Sequence, residues 1–330
     1  MTELTTRWLG LDLRSPLVVG ASPLTDDIEA LKGCVRAGAG AVVMYSLFEE
    51  QLVAEQMAAH RFIDTRVHTD AEARSFFPEA EVFEVGSGSY LQRLERLRRA
   101  LDVPVIASLN GVTNGGWIRH AGELEAAGAR AIELNLYDLA LEPGETAQSL
   151  ENRQLDVVRS VVAQVTIPVS VKLSPFYSAL PAFVAGLEAA GARGVVLFNR
   201  FYQPDIDLDQ LELSREVALS SSAELPLRLH ATARLHGQTG LDIAVSGGVH
   251  RGDDAAKAVL SGATVVQVVS ALLARGPQAM SEIREEMNQR LSAIGYRNLA
   301  EARGALSLAR APNSGAWARL NYARLLHGWT

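Results

Sequence analysis

Three short runs carry side chains suited to acid–base and anion chemistry. In AIELNLYDLA (131–140), apolar Ile132, Leu134 and Leu136 alternate with Glu133, Asn135 and Tyr137, and the run breaks at Asp138. In IPVSVKLS (167–174), Ser170, Lys172 and Ser174 alternate with Val169, Val171 and Leu173. In VPVIASLN (103–110), Ile106, Ser108 and Asn110 form one set. Period-two alternation sends the two sets of each run to opposite faces of a strand. Asn199 and Ser246 end two further apolar runs. Lys172 is the sharpest of these residues, because an inward lysine loses several kcal/mol of solvation unless an anion faces it. Three partners are open to it: Glu133 on the adjacent strand, a bound anion or anionic cofactor atom, or a carbonyl substrate attacked as a Schiff base.

The stretch DIAVSGGVHRGDDAAKAVLSGATVVQVVSALL (242–273) predicts an anion seat. One strand ends in Ser246-Gly247-Gly248 with a helix starting near Gly252. The next ends in Val269-Ser270 and also leads into a helix. Two tight turns with free N–H groups beside helix N-termini favour a phosphate.

These residues need a scaffold that gathers strand ends, and the chain has one in its rhythm. Apolar, β-branched runs predict strands at 17–21, 41–46, 105–110, 131–137, 169–173, 194–199, 242–246 and 264–269. Helical patterns intervene at 27–37, 90–101, 116–127, 146–164, 181–190, 225–236, 253–260 and 277–293. Gly128, Gly191 and Gly262 close three of the helices as C-cap glycines. Eight strand–helix units in one row predict an α/β fold, a closed (β/α)8 TIM barrel, with the polar strand ends inside its upper mouth. Residues 4–14 predict an N-terminal β-hairpin sealing the bottom. Residues 47–86, whose first part LFEEQLVAEQMAAHRF is helical in pattern, predict a lid-like insertion. Residues 295–330, with Trp317, Tyr322 and Trp329, predict a C-terminal extension docked on the barrel or on a neighbouring subunit. No linker divides residues 1–330, so one domain is expected.

Composition narrows the partners. The 330 residues carry a net charge of −7 and are 48% hydrophobic and 21% charged, which gives no basic surface for nucleic acid or anionic lipid. No apolar run reaches the roughly 18 residues of a membrane span, and the N-terminus lacks a secretory pattern. A cytoplasmic protein is expected. The single cysteine, Cys34, allows no internal disulfide and no multi-cysteine metal site, and no metal is predicted.

Taken together, SPLVVGASPLT, IELNL, VSVKLSP and SGGV…DAAKAVLSGATVVQVVSAL resemble, in order and spacing, the dihydroorotate dehydrogenases, which are FMN-dependent barrels. The resemblance runs from about residue 8 to residue 310. The tail GYRNLAEARGALS…NYARLLHGW is closer still to bacterial proteins called dihydroorotate dehydrogenase-like. The resemblance implies that Lys172 lies near the flavin N1 edge and that Asn135 and Asn199 line the flavin and substrate pocket. It further implies that Ser246, Gly247, Gly248 and Ser270 hold the phosphate and that Ala21 and Ser22 touch the flavin. Tyr45, Ser46 and Asn110 complete the cofactor set, with Tyr45-Ser46 standing where the family carries a lysine.

Other departures fall on the substrate side. The family's NLSCPN becomes Asn135-Leu136-Tyr137-Asp138-Leu139-Ala140, so Asp138 replaces the cysteine or serine base and Ala140 replaces an asparagine that holds the orotate ring. Ser221 and Val269 stand where glycines approach FMN. Asp138, Tyr137 and Lys172 are therefore the expected catalytic groups. Substrate hydride is expected to pass to flavin N5, and the proton to a residue near the end of strand four. The expected partners are a small-molecule substrate, a soluble electron acceptor or partner redox protein, and a second copy in a homodimer. Two alternatives stand beside this reading: a Schiff-base lyase using Lys172, and a flavin-binding barrel without activity.

Overall fold

The computed structural model describes residues 1–51, 87–111, 113, 115, 118–200, 205–209, 211–214, 218–311, 322–324 and 327–328. The strands, in chain order, are β1 (Thr6–Trp8), β2 (Leu11–Leu13), β3 (Leu17–Val19), β4 (Ala41–Phe48), β5 (Val105–Asn110) and β6 (Ile132–Asn135). They continue with β7 (Val169–Leu173), β8 (Gly194–Leu197), β9 (Asp205–Asp207), β10 (Glu212–Ser214), β11 (Asp242–Ser246) and β12 (Val265–Val268). Eight of them close a parallel barrel in the order β11-β12-β3-β4-β5-β6-β7-β8, with β8 pairing back to β11. β1–β2 and β9–β10 are separate antiparallel hairpins. The architecture is the (β/α)8 barrel that the strand–helix rhythm predicts.

Strands buried on both faces read as continuous apolar runs, and the two faces serve different cores. Leu134, Val171, Leu197 and Val245 pack under the helices, whereas Val18, Val43, Ile106, Val196, Ala244 and Val265 fill the lumen. Trp8, Leu9 and Leu13 of the N-terminal hairpin join the inner cluster, and Trp8 is fully buried. Gly194 leaves room for this plug: a Cβ there would lie 2.7 Å from Leu9 Cδ2. The hairpin therefore seals the bottom, and polar strand residues are left to the opposite end.

Helix boundaries follow local chemistry. The Asp27 carboxylate accepts from the N–H groups of Glu29 and Ala30 and starts the helix Ile28–Arg36. Thr146 and Ser149 form a reciprocal capping box ahead of Ala147–Val162. Gly128, Gly191 and Gly262 end their helices at positive φ, as expected. Cys34 is fully buried, and burial pushes its thiol pKa up to about 11, consistent with a packing role.

The start of the C-terminal extension docks on the barrel. Glu3 bridges to Asn298, the Leu299 N–H donates to Glu3 O, and the N–H groups of Gly304 and Leu306 donate to Val259 and Leu260 O. Trp317, Trp329 and most of the expected lid, 52–86, lie outside the described residues. No helix among the described residues is long and apolar enough to cross a membrane.

Candidate functional site at the barrel mouth

Register sets the polar face. Asn110 pairs with Asn135, and Asn135 with Lys172, while Ser46 pairs with Ser108, Ser108 with Glu133, and Glu133 with Ser170. Glu133 and Lys172 are thus diagonal neighbours on β6 and β7, within reach of each other. Lys172 Nζ donates to Glu133 Oε1 at 3.2 Å and lies 3.5 Å from Gln267 Oε1 on β12. Gln267 Nε2 donates to Glu133 Oε2 at 2.5 Å. Glu133 and Gln267 are fully buried, and Lys172 nearly so. Of the partners open to Lys172, the internal carboxylate is present. One level up, Asn199 Nδ2 donates to Asn135 Oδ1 at 3.0 Å.

On the neighbouring wall, Ser46 and Ser108 share a hydrogen bond of 2.8 Å between their hydroxyls. The residue before Ser46 behaves differently. A register shift between Val43 and Ser46 inserts an extra residue into β4, and such a bulge re-aims side chains. Tyr45 therefore packs edge-on against Tyr90, with ring centroids 5.2 Å apart, and has Arg93 over its ring. It joins the outer, helix-facing core instead of the Lys172 group. Burial, outweighing the nearby Arg93, raises its phenol pKa.

The phosphate-type seat has the expected turn. Gly247 and Gly248 adopt φ of +91° and +77°, which a side chain would strain, and a Cβ on Gly248 would lie 2.7 Å from Leu225 N. The Gly248 N–H donates to Ser220 Oγ at 3.3 Å, and Ser220 Oγ donates to Ser270 Oγ at 2.9 Å. His250 Nε2 stands 3.4 Å from the same Ser220 hydroxyl. Across the mouth, after β3, Ala21 packs against the inner cluster. Ser22 Oγ is buried without a hydrogen-bond partner among the described residues. Val269 crowds this side, since a Cβ on Gly20 would lie 2.7 Å from Val269 Cγ2.

The loop after β6 departs most from its expected role. Asp138 Oδ2 lies 2.8 Å from both Nε and Nη2 of Arg153, whose Nη1 also reaches Glu145 at 2.6 Å. Asp138 lines a side cavity of about 210 Å³ together with Gln154, Phe176 and Tyr177. Tyr177 donates to Gln154 at 2.9 Å, and burial raises its phenol pKa. Tyr137 is half-buried.

A family model described as dihydroorotate dehydrogenase matches residues 82–291. The chain belongs to the dihydroorotate dehydrogenase family. Membership makes it a dihydroorotate dehydrogenase-like oxidoreductase. It is 34% identical over 214 residues to a putative dihydroorotate dehydrogenase A (fumarate) of Aeropyrum pernix, covering 61% of this chain and 67% of that protein. It is 31% identical over 217 residues to the dihydroorotate dehydrogenase B (NAD(+)) catalytic subunit of Desulforudis audaxviator, with 64% and 70% covered. The catalytic subunit of the same name from Thermoplasma acidophilum is 24% identical over 295 residues, 87% of this chain and 93% of that protein.

In this dihydroorotate dehydrogenase-like barrel, the structure gathers Asn110, Asn135, Lys172, Asn199, Ser46, Ser246, Gly247, Gly248 and Ser270 at strand C-termini or the turns beyond them. It does not bring Tyr45 there, and it ties Asp138 to a helix. Gln267, Ser220 and Arg228 also lie at this mouth and are not among the residues expected from the sequence. Gln267 was legible, since it is the polar residue between Val266 and Val268 in an otherwise apolar strand of a barrel whose other strands carry inward polar groups. Ser220 had no pattern around it.

Proposed function

We propose that the chain is an FMN-dependent oxidoreductase that removes a hydride and a proton from adjacent carbons of a small substrate. The observation that carries this reading is one mouth holding a buried cation, a paired-amide rim and a glycine turn with hydroxyls. These features fit the parts of a flavin mononucleotide. The left-handed Gly247-Gly248 turn with Ser220 and Ser270 suits a phosphate, and the unpartnered Ser22 Oγ leaves a polar atom for the ring. Lys172, Asn135, Asn199, Ser46 and Asn110 would hold the ring system, with Ala21 and Ser22 on the side of β3. Tyr45 is left out of this set because it faces Tyr90. When bound, the flavin supplies the hydride acceptor.

The residues supply electrostatics and proton handling. Lys172 presents a fixed cation that Glu133 and Gln267 hold in place, so it needs no reorganisation as charge develops. The proton leaves through the 136–140 loop. Asp138 already carries the Arg153 guanidinium, so we assign it an orienting role; the Tyr137 hydroxyl would accept the substrate proton while passing its own to solvent water, which is the final acceptor. Lys172 is engaged by Glu133 and Gln267, and among the described residues nothing around it selects Schiff-base chemistry.

The test is anaerobic addition of dihydroorotate, then of other small cyclic or carboxylated CH–CH donors, to the purified holoprotein. Loss of the flavin's visible absorption with at least one donor is expected. Reduction by dithionite but by none of these donors would contradict the reading and leave a flavin-binding barrel without this activity.

A further inference from the structure

Arg228, on the helix Leu225–Leu235, is only 5% exposed. Its Nε donates to Ser246 O at 2.5 Å, and its Nη1 donates to Glu224 O at 2.7 Å. A Cβ placed on Gly247 would lie 2.7 Å from Nη2 and 3.0 Å from Cζ, so the guanidinium packs directly against the glycine turn. The carboxylate facing it, Glu224 Oε2, is 3.9 Å from Nη2 and belongs to a side chain 38% exposed. Burial lowers the guanidinium's pKa, Glu224 opposes the shift, and Arg200 adds to it. Among the described residues, this buried cation is held by two carbonyls and one carboxylate at 3.9 Å, an arrangement that favours a further anion nearby.

We propose that Arg228 is the positioning residue that makes the Ser246–Gly248 turn selective for a doubly charged phosphate monoester. It fixes the turn through Ser246 O and places a cation against Gly247, within the turn proposed to meet the phosphate. A neutral flavin lacking the phosphate gains nothing from it. The inference rests on the FMN reading and adds the group that sets its phosphate selectivity.

The test titrates flavin-free protein with FMN and, separately, with riboflavin, following quenching of ligand fluorescence. Wild type is compared with Arg228→Lys and Arg228→Met. Arg228→Met is expected to weaken FMN by about 30-fold, the scale of one charge-assisted contact, and to leave riboflavin affinity unchanged. Arg228→Lys is expected to recover most of the FMN preference. FMN and riboflavin affinities falling together, or neither changing, would overturn the proposal by making Arg228 structural support alone. If Arg228→Met does not fold, the Arg228→Lys ratio and the wild-type preference decide. Wild type that binds both flavins equally contradicts this inference alone, whereas wild type that binds neither contradicts the FMN reading as well.

Discussion

At the scale of single residues, the mouth divides into a closed electrostatic half and an acid–base half that departs from the family resemblance. Lys172, Glu133 and Gln267 form a closed set in which each charge or dipole has an answer, and such buried polar sets fix geometry when fully satisfied. Asp138 stands where the family resemblance implies a base, yet its carboxylate is shared with Arg153. Asp138→Asn is therefore expected to cost about 1 kcal/mol of stability, read by chemical denaturation. The rate of flavin reduction in a stopped-flow trace should stay within about ten-fold of wild type. Tyr137→Phe should lower that rate more. A fall of about 100-fold or more in Asp138→Asn with stability unchanged, the scale of a lost general base, would return the proton to Asp138.

At the scale of elements, what could be read from sequence was what obeys a period. Val105–Asn110, Val169–Leu173 and Asp242–Ser246 form strands with the predicted bounds, and their polar sets point inward as alternation requires. β4 breaks the period with a bulge between Val43 and Ser46, and one inserted residue sends Tyr45 outward while bringing Ser46 to Ser108. A bulge is a property of the paired strands, so β4 alone does not announce it. The hairpin β9–β10 went unread because its first strand, Asp205–Asp207, is exposed and two of its three residues are aspartates, so it shows no apolar alternation. Arg228 was invisible for the opposite reason: an arginine in an ordinary helical pattern reads as solvated, and only the tertiary approach of Gly247 buries it. The glycine turn itself makes a testable demand. Gly248→Ala forces a Cβ onto φ +77° and to 2.7 Å from Leu225 N. It should cost about 1–3 kcal/mol of stability and weaken FMN more than riboflavin. Unchanged FMN affinity would show that the turn does not meet the phosphate.

At the scale of the whole molecule, the N-terminal hairpin and residues 297–306 pack at the barrel's lower end while the strand C-termini are left for chemistry. Trp8 plugs the lumen, and residues 297–306 bind both the N-terminal segment and the end of the helix Gly252–Ser261. His236 sits at that junction, so close that a Cβ on Gly262 or Gly304 would collide with its ring. Burial lowers its pKa, and Arg303 and Arg310 lower it further against an opposing backbone contact to Gly262. A histidine depressed on folding contributes stability above its ordinary value, near ~6.5, and that contribution is lost as pH falls towards the folded-state value. The melting temperature of wild type should therefore exceed that of His236→Asn by more at about pH 7.5 than at about pH 5.5, on either side of the ordinary histidine value. A gap that widens on acidification would contradict the assignment.

The most direct measurement on the central claim is the visible absorption spectrum of the purified chain, with released cofactor identified by mass. A barrel whose Lys172, Asn135–Asn199 and Ser246–Gly248 groups serve one ligand predicts flavin bands and one FMN per chain, either as purified or after FMN is added. A folded protein that stays colourless with excess FMN would contradict it.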